Sequence, residues 1–325
     1  MKRLIFITIS LLFVQIGLSE DLKVGIIGLD TSHVTAFTEI LNNPENKSHV
    51  PGAKVVGAFK GGSDDLEVSR SRVEMFTGQL VKKYGVKIYP TIEELCENVD
   101  VILLESVDGR KHLEQAEKVF KAGKKVFIDK PLAANLKQCI EIYKLGKKYN
   151  IPWWSSSSLR YHQKTQELAK KDWGKIYNVT SYGPVTIEPT HTELFWYGVH
   201  PAEALYTVMG PGCQEVTRVQ SGTTEVAVGK WADEKVGTLI GHKTGKAKYK
   251  YSMYINGEKG FENSPIGSDY GKMMVDIVKF FKSGEIPVPQ ETTLEIMAFM
   301  EAADESKKAG GKPVKISHVM KKNGM

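Results

Sequence analysis

The feature that most constrains this chain is the strict alternation of strand-like and helix-like segments through its first half. Residues 22–28 form an apolar run of strand length, and Val34, Phe37, Ile40 and Leu41 then recur at helical spacing. Strands are expected at 53–59, 86–89, 101–105 and 125–128, and helices at 75–84, 92–98, 112–122 and 136–149, with Thr91 and Gly123 as a cap and a stop. Strands buried on both faces need such nearly continuous apolar runs, and their alternation with helices predicts a doubly wound parallel sheet.

After Pro152 the period changes. Strands with alternating polarity are expected at 176–182, 215–220, 224–230, 236–242 and 248–255, with turns at 232–234 and at Asn256-Gly257. Helices are expected at 199–209, 270–282 and 292–309. The second half is therefore read as an α/β domain with a large, mostly antiparallel open sheet that keeps one wet face. The boundary falls near Ile151, giving domains of 21–151 and 152–325. The run Ser155–Ser158 is the one low-complexity stretch in the sequence.

The first nineteen residues stand apart. Lys2-Arg3 precede an apolar stretch from 4 to 18, and Gly17 and Ser19 offer small residues for cleavage before Glu20-Asp21. This reads as a signal peptide and implies an exported, periplasmic or extracellular protein. About fifteen apolar residues is short of the roughly twenty a span needs, so no stable membrane insertion is expected after cleavage. The net charge of +6 falls to +4 without that segment, and no basic stripe is interleaved with aromatics, so nucleic acid is not an expected partner. Cys96, Cys139 and Cys213 have neither disulfide nor zinc spacing.

A strand, a glycine turn and a helix at the start of a doubly wound domain is where a dinucleotide pyrophosphate sits. Here the turn reads Gly28-Leu29-Asp30-Thr31-Ser32-His33: Gly28 fits the tight-turn glycine, while Asp30 and His33 stand where further glycines would be. A carboxylate facing a pyrophosphate is repulsive unless it turns away to cap the helix. The second expected strand ends without the acid that would grip the ribose of NAD, and Lys60 with Ser63 there would favour the 2′-phosphate of NADP. Glu188, His191 and His200 match no compact metal spacing, and no metal is expected.

Further along come Ile128-Asp129-Lys130-Pro131-Leu132, Trp196-Tyr197-Gly198-Val199-His200-Pro201-Ala202-Glu203, and a Gly310-Gly311-Lys312-Pro313 close. Together with the first domain these resemble the glucose-fructose oxidoreductase / inositol dehydrogenase (Gfo/Idh/MocA) family over about 22–316. The resemblance implies an N-terminal Rossmann domain, a C-terminal substrate and oligomerisation domain, and NAD or NADP chemistry on a carbohydrate-like alcohol. It assigns Lys130 to the lysine of a Glu-Lys-Pro motif, with Asp129 for the glutamate, and His200 to the histidine of a Gly-x-His-x-x-Asp motif, with Glu203 for the aspartate. It places Arg160 beside the substrate and His112 after the fourth strand near the cofactor.

Removing hydride from a secondary alcohol requires its hydroxyl proton to leave, so an acid or base must lie within reach. On this reading His200 moves the proton, Glu203 orients it, Lys130 steadies the developing alkoxide, and Trp196 and Tyr197 stack on the sugar. The expected protein is an exported homo-oligomeric oxidoreductase with a retained cofactor acting on a sugar, sugar acid or cyclitol. Redox-assisted lyase, hydrolase or epimerase chemistry, and a non-catalytic sugar-binding scaffold, are the alternatives.

Overall fold

The computed structural model describes residues 20–243 and 251–325. The segment read as a signal peptide lies outside the described residues, as do 248–250 of the strand expected at 248–255. Six strands form the first sheet: β1 (Leu22–Ile27), β2 (Ala53–Phe59), β3 (Lys87–Tyr89), β4 (Val101–Leu104), β5 (Lys125–Ile128) and β6 (Trp153–Trp154). All pair in parallel in the order β3-β2-β1-β4-β5-β6, so the strand order reverses between β1 and β4. In open sheets of this kind the ligand crevice lies at the carboxyl ends of the strands at that reversal.

Helices α1 (Ser32–Asn42), α2 (Glu67–Arg70), α3 (Val73–Tyr84), α4 (Ile92–Glu97), α5 (Gly109–Lys121) and α6 (Leu136–Tyr149) connect these strands. Thr31 caps α1 and Asp108 caps α5, which therefore starts three residues before the expected 112. Val34, Phe37, Ile40 and Leu41 form the buried stripe of α1, as their spacing predicts.

The second sheet contains β7 (Ile176–Pro184), β8 (Cys213–Ser221), β9 (Thr224–Trp231), β10 (Val236–His242), β11 (Ser252–Gly257), β12 (Gly260–Pro265) and β13 (Val314–Lys315). It is antiparallel except for the β7–β10 pair. Asn256-Gly257 do not make the turn expected of them: they end β11, and the hairpin to β12 closes at Glu258-Lys259. Helices α7 (Gln163–Lys170), α8 (Val199–Met209), α9 (Tyr270–Ser283), α10 (Gln290–Lys308) and α11 (Ile316–Lys322) complete the chain.

Two features move the boundary expected at Ile151. Trp153-Trp154 pair with Val126-Phe127 and so extend the first sheet, since both indoles are fully buried and need that cover. Helix α9 then returns across the first domain. Its Met273, Met274, Ile277, Phe280 and Phe281 share one core with Val24, Ile26, Phe37, Phe127 and Trp154. The other face of the first sheet packs on α5 and α6, in a core continuous with that of the second sheet. Because α9 seals a face of the first sheet, the halves should unfold together. Phe280→Ala is expected to cost about 3–5 kcal/mol while leaving a single unfolding transition, read by urea titration with far-UV and tryptophan signals. Two separated transitions would mean the halves are independent.

Candidate functional site

A cavity of about 270 Å³ lies where the carboxyl ends of the first sheet meet the second domain. Thr31, Ser32 and His33 line it from the N-terminus of α1, Val107 from beyond β4, and Lys130-Pro131, a cis peptide, from beyond β5. The second half contributes Trp196, Tyr197 and His200 around the start of α8, Tyr251 before β11 and Tyr270 at the start of α9. The cavity thus brings Lys130, His200, Trp196 and Tyr197 together around one space.

His200 is buried, with Nδ1 2.7 Å from Ser157 Oγ and its ring edge-on to Tyr197 and Tyr251. Burial, and then the charge of Lys130, hold its pKa well below the ordinary histidine value, so the imidazole is neutral near pH 7. Lys130 Nζ stands 5.4 Å from the centre of the Tyr197 ring. Trp196 packs edge-on against His191.

Several expected roles are corrected. Glu203 does not orient His200: its Oε1 accepts from Ser156 Oγ at 2.8 Å and from Arg160 Nε at 2.6 Å, because position 203 faces the serine segment. Arg160 is spent on that ion pair and does not line the cavity, so it is no substrate contact in this arrangement. The serine run is structural support, with Ser155–Ser158 all buried. His112 is fully buried between the carbonyls of Ser106 (2.7 Å) and Leu132 (3.1 Å), pinning two loops together with no face toward a cofactor. Among the residues once weighed for metal, Glu188 bonds Thr190, and His191 Nε2 accepts from Gly109 N–H at 3.1 Å.

The glycine turn is tight for an internal reason. Gly28 has φ +88°, and a Cβ there would lie 2.3 Å from Ser106 Oγ. Asp30 turns away, as repulsion requires, but Thr31 is the cap. Asp30 Oδ2 accepts from Ser69 Oγ at 2.6 Å and Oδ1 from Val107 N–H at 2.9 Å. Ser63 Oγ donates to Asp108 at 2.6 Å, and Arg110 reaches both Asp108 and Asp65. Lys60, on which the expected preference for NADP rests, pairs with Glu74 at the surface.

These bridges tie the 60–72 connection to the turns after β1 and β4, across the crevice where the adenosine end of a dinucleotide belongs. The remaining cavity falls just under the roughly 300–1,000 Å³ of sites for drug-sized ligands, enough for one small substrate. A dinucleotide in that crevice would have to part the bridges from Ser63 and Ser69 to Asp108 and Asp30.

Three groups behind the cavity were not foreseen together. His33 Nδ1 lies 2.5 Å from Asp129 Oδ2 and 3.9 Å from Glu105 Oε2, and His33 Nε2 is 2.9 Å from Tyr270 Oη. Burial, and then the neighbouring Asp129 charge, push Glu105 well above the usual carboxylate range. Burial opposes ionisation of Asp129 as well, but the charge and hydrogen bond of His33 hold it down at about 2. An acid ending each of two buried strands was the available signal for Glu105 beside Asp129. Tyr270 had none, because its position depends on the return of α9.

Residues 22–154 match the model of an oxidoreductase family with an NAD-binding Rossmann fold. No curated protein matches the chain in sequence. Among solved structures, a probable dehydrogenase from Thermotoga maritima superposes with TM-score 0.73 at 21% identity, covering 92% of this chain and 100% of that one. A myo-inositol 2-dehydrogenase from Lactobacillus plantarum gives 0.73 at 18%, covering 91% and 99%. A myo-inositol dehydrogenase from Lactobacillus casei, in complex with NAD(H) and myo-inositol, gives 0.72 at 17%, covering 91% and 97%. At such identities the likeness establishes the fold.

The bridges across the crevice are testable by pH. Burial opposes the charge on Asp108, yet Arg110 and Ser63 hold its pKa at about 2, against 3.8 for a free aspartate. A depressed carboxylate stabilises the fold above its unfolded pKa and loses that contribution as pH falls through the folded value. Arg110→Ala is therefore expected to lower thermal stability at pH 7, with the deficit narrowing between about pH 4 and 2. A deficit that does not change over that range would mean Arg110 acts by packing alone.

Proposed function

From the match of residues 22–154 to the Gfo/Idh/MocA oxidoreductase family with its NAD-binding Rossmann fold, we propose that this chain acts as a member of that family on a secondary alcohol of a small polyhydroxylated molecule. A sugar, sugar acid or cyclitol has the size and polarity of the space between Lys130 and His200. The observation that carries this reading is the convergence of those two groups on one cavity from different halves of the chain.

A neutral His200, held at Nδ1 by Ser157, has Nε2 left to take the hydroxyl proton. The Lys130 ammonium favours the alkoxide that forms as the proton leaves. Tyr197, more than a third exposed and beneath that ammonium, supplies a ring face for the C–H side of a sugar. Glu203 and Arg160 act at one remove, by fixing the serine segment that holds His200.

NAD or NADP would reach Lys130 only after the 60–72 connection swings off the Gly28 turn. No step is assigned to it in the closed arrangement. Export with cleavage near Ser19 and homo-oligomerisation through the second sheet belong to the same proposal. A sugar-binding scaffold without turnover is the second reading, favoured by the bridges that close the crevice.

The test is product formation over a panel of sugars, sugar acids and cyclitols, with NAD and NADP, after acid release of any bound nucleotide. His200→Ala is expected to lower turnover by about 10²–10⁴ and to weaken substrate binding far less, whereas Lys130→Ala should lower both. Removing the Lys130 charge should also move the acidic limb of the pH–rate profile upward, because that charge helps depress His200. Unchanged turnover in both variants would overturn the assignment, and binding with no turnover on any member of the panel would favour the scaffold.

A further inference from the structure

The geometry points to a divalent metal ion held by His33, Glu105 and Asp129 behind the cavity. One ligand atom from each lies within 4.8 Å of the other two, a span that a single ion can bridge with small side-chain adjustments. The three come from different elements, the N-terminus of α1 and the ends of β4 and β5, so their meeting follows from the sheet and not from one flexible loop.

Glu105 carries the argument furthest. It is fully buried, and neither carboxylate oxygen has a hydrogen-bond partner among the described residues. Buried carboxylates are ordinarily paired, protonated or bound to metal. Asp129 stands beside it, itself buried and bonded to His33. Two carboxylates this close need positive charge beside them; one imidazolium at His33 can balance only one, and the second calls for a proton or a metal.

His33 favours the metal. Its Nε2 meets the Tyr270 hydroxyl at 2.9 Å, which sets the ring so that Nδ1 faces the two carboxylates. An outer partner on the far nitrogen is how ligating histidines are usually held. One imidazole with two carboxylates suits Zn²⁺, Mn²⁺ or Fe²⁺ better than an all-oxygen ion such as Ca²⁺. His33 lines the cavity together with Lys130 and His200, while Glu105 and Asp129 sit behind it, so an ion held by the three would border that cavity. An ion there would meet a substrate oxygen as a Lewis acid. The ammonium of Lys130 offsets one carboxylate charge; a dication then leaves one positive charge, which a bound alkoxide would neutralise.

The inference does not rest on the oxidoreductase reading, because its readouts are binding and spectra. The full protein is stripped with EDTA, exchanged into chelator-free buffer, and titrated with Zn²⁺ and Mn²⁺ by calorimetry and with Co²⁺ by visible absorption. One ion per chain is expected, with d–d bands for Co²⁺ and an unfolding midpoint that rises with ion concentration. Glu105→Gln and Asp129→Asn should each weaken binding at least about tenfold. Tyr270→Phe keeps all three ligands and should weaken it about tenfold through the outer shell, so it carries the test where a ligand variant fails to fold. Absence of stoichiometric binding by the wild type would overturn the site, as would binding that neither Glu105→Gln nor Tyr270→Phe affects. Glu105→Gln that is more stable than the wild type and binds no less metal would put a proton between the carboxylates instead.

Discussion

The parallel register of β1, β4 and β5 is the constraint on which the site depends. Ile27 pairs with Leu104, and Leu104 pairs with Ile128. The next residue of each strand is therefore Gly28, Glu105 and Asp129, side by side at the carboxyl edge. The backbone bonds from Glu105 N–H to Ile27 and from Asp129 N–H to Leu104 hold those residues in the same layer. Slipping a strand by one residue would exchange the side chains it presents to the two cores, so the packing of Val101–Leu104 and Lys125–Ile128 on both faces favours the register that aligns the acids.

The second domain completes what the strand ends begin. Without α9 one face of the first sheet would lack Met273, Ile277 and Phe280, and His33 would lack its Tyr270 partner. The same return of the chain serves packing and site at once. Helix α8 works in parallel: its first turn brings His200 to the cavity, while Glu203 on the next turn locks Arg160 and Ser156 behind it. Burial of this ion pair gives little net stability on its own, since desolvation offsets most of the attraction. Its consequence lies in placing Ser157, and through it the His200 ring.

What the sequence made legible follows from what local pattern can encode. The parallel sheet, the buried stripe of α1, and the shared cavity of Lys130 and His200 were readable from period and motif. Glu203 and Arg160 were misplaced because a spacing of three fixes a helical face but not what packs against that face. His112 was misread because its partners are two backbone carbonyls, Ser106 and Leu132, which no side-chain pattern announces. The buried role of Ser155–Ser158 looked like low complexity for the same reason. Glu105 ended an expected strand in plain view, and only its lateral neighbour Asp129, 24 residues on, makes it chemically notable.

Those acids also bear on what the crevice can hold. Asp108, the cap of α5, and Asp129, which follows β5, both have their pKa values held at about 2 against burial, by Arg110 and by His33 respectively. Two like unit charges 4 Å apart repel by about 4 kcal/mol at an effective dielectric of 20, whereas a helix N-terminus returns about 0.3–1 kcal/mol to an anion. An anion near either carboxylate would therefore depend on the cations beside them, Arg110 at Asp108 and His33 and Lys130 at Asp129, more than on the α1 terminus. The Ser63, Asp65 and Ser69 bridges lie across the same crevice, so a dinucleotide entering it would have to displace them.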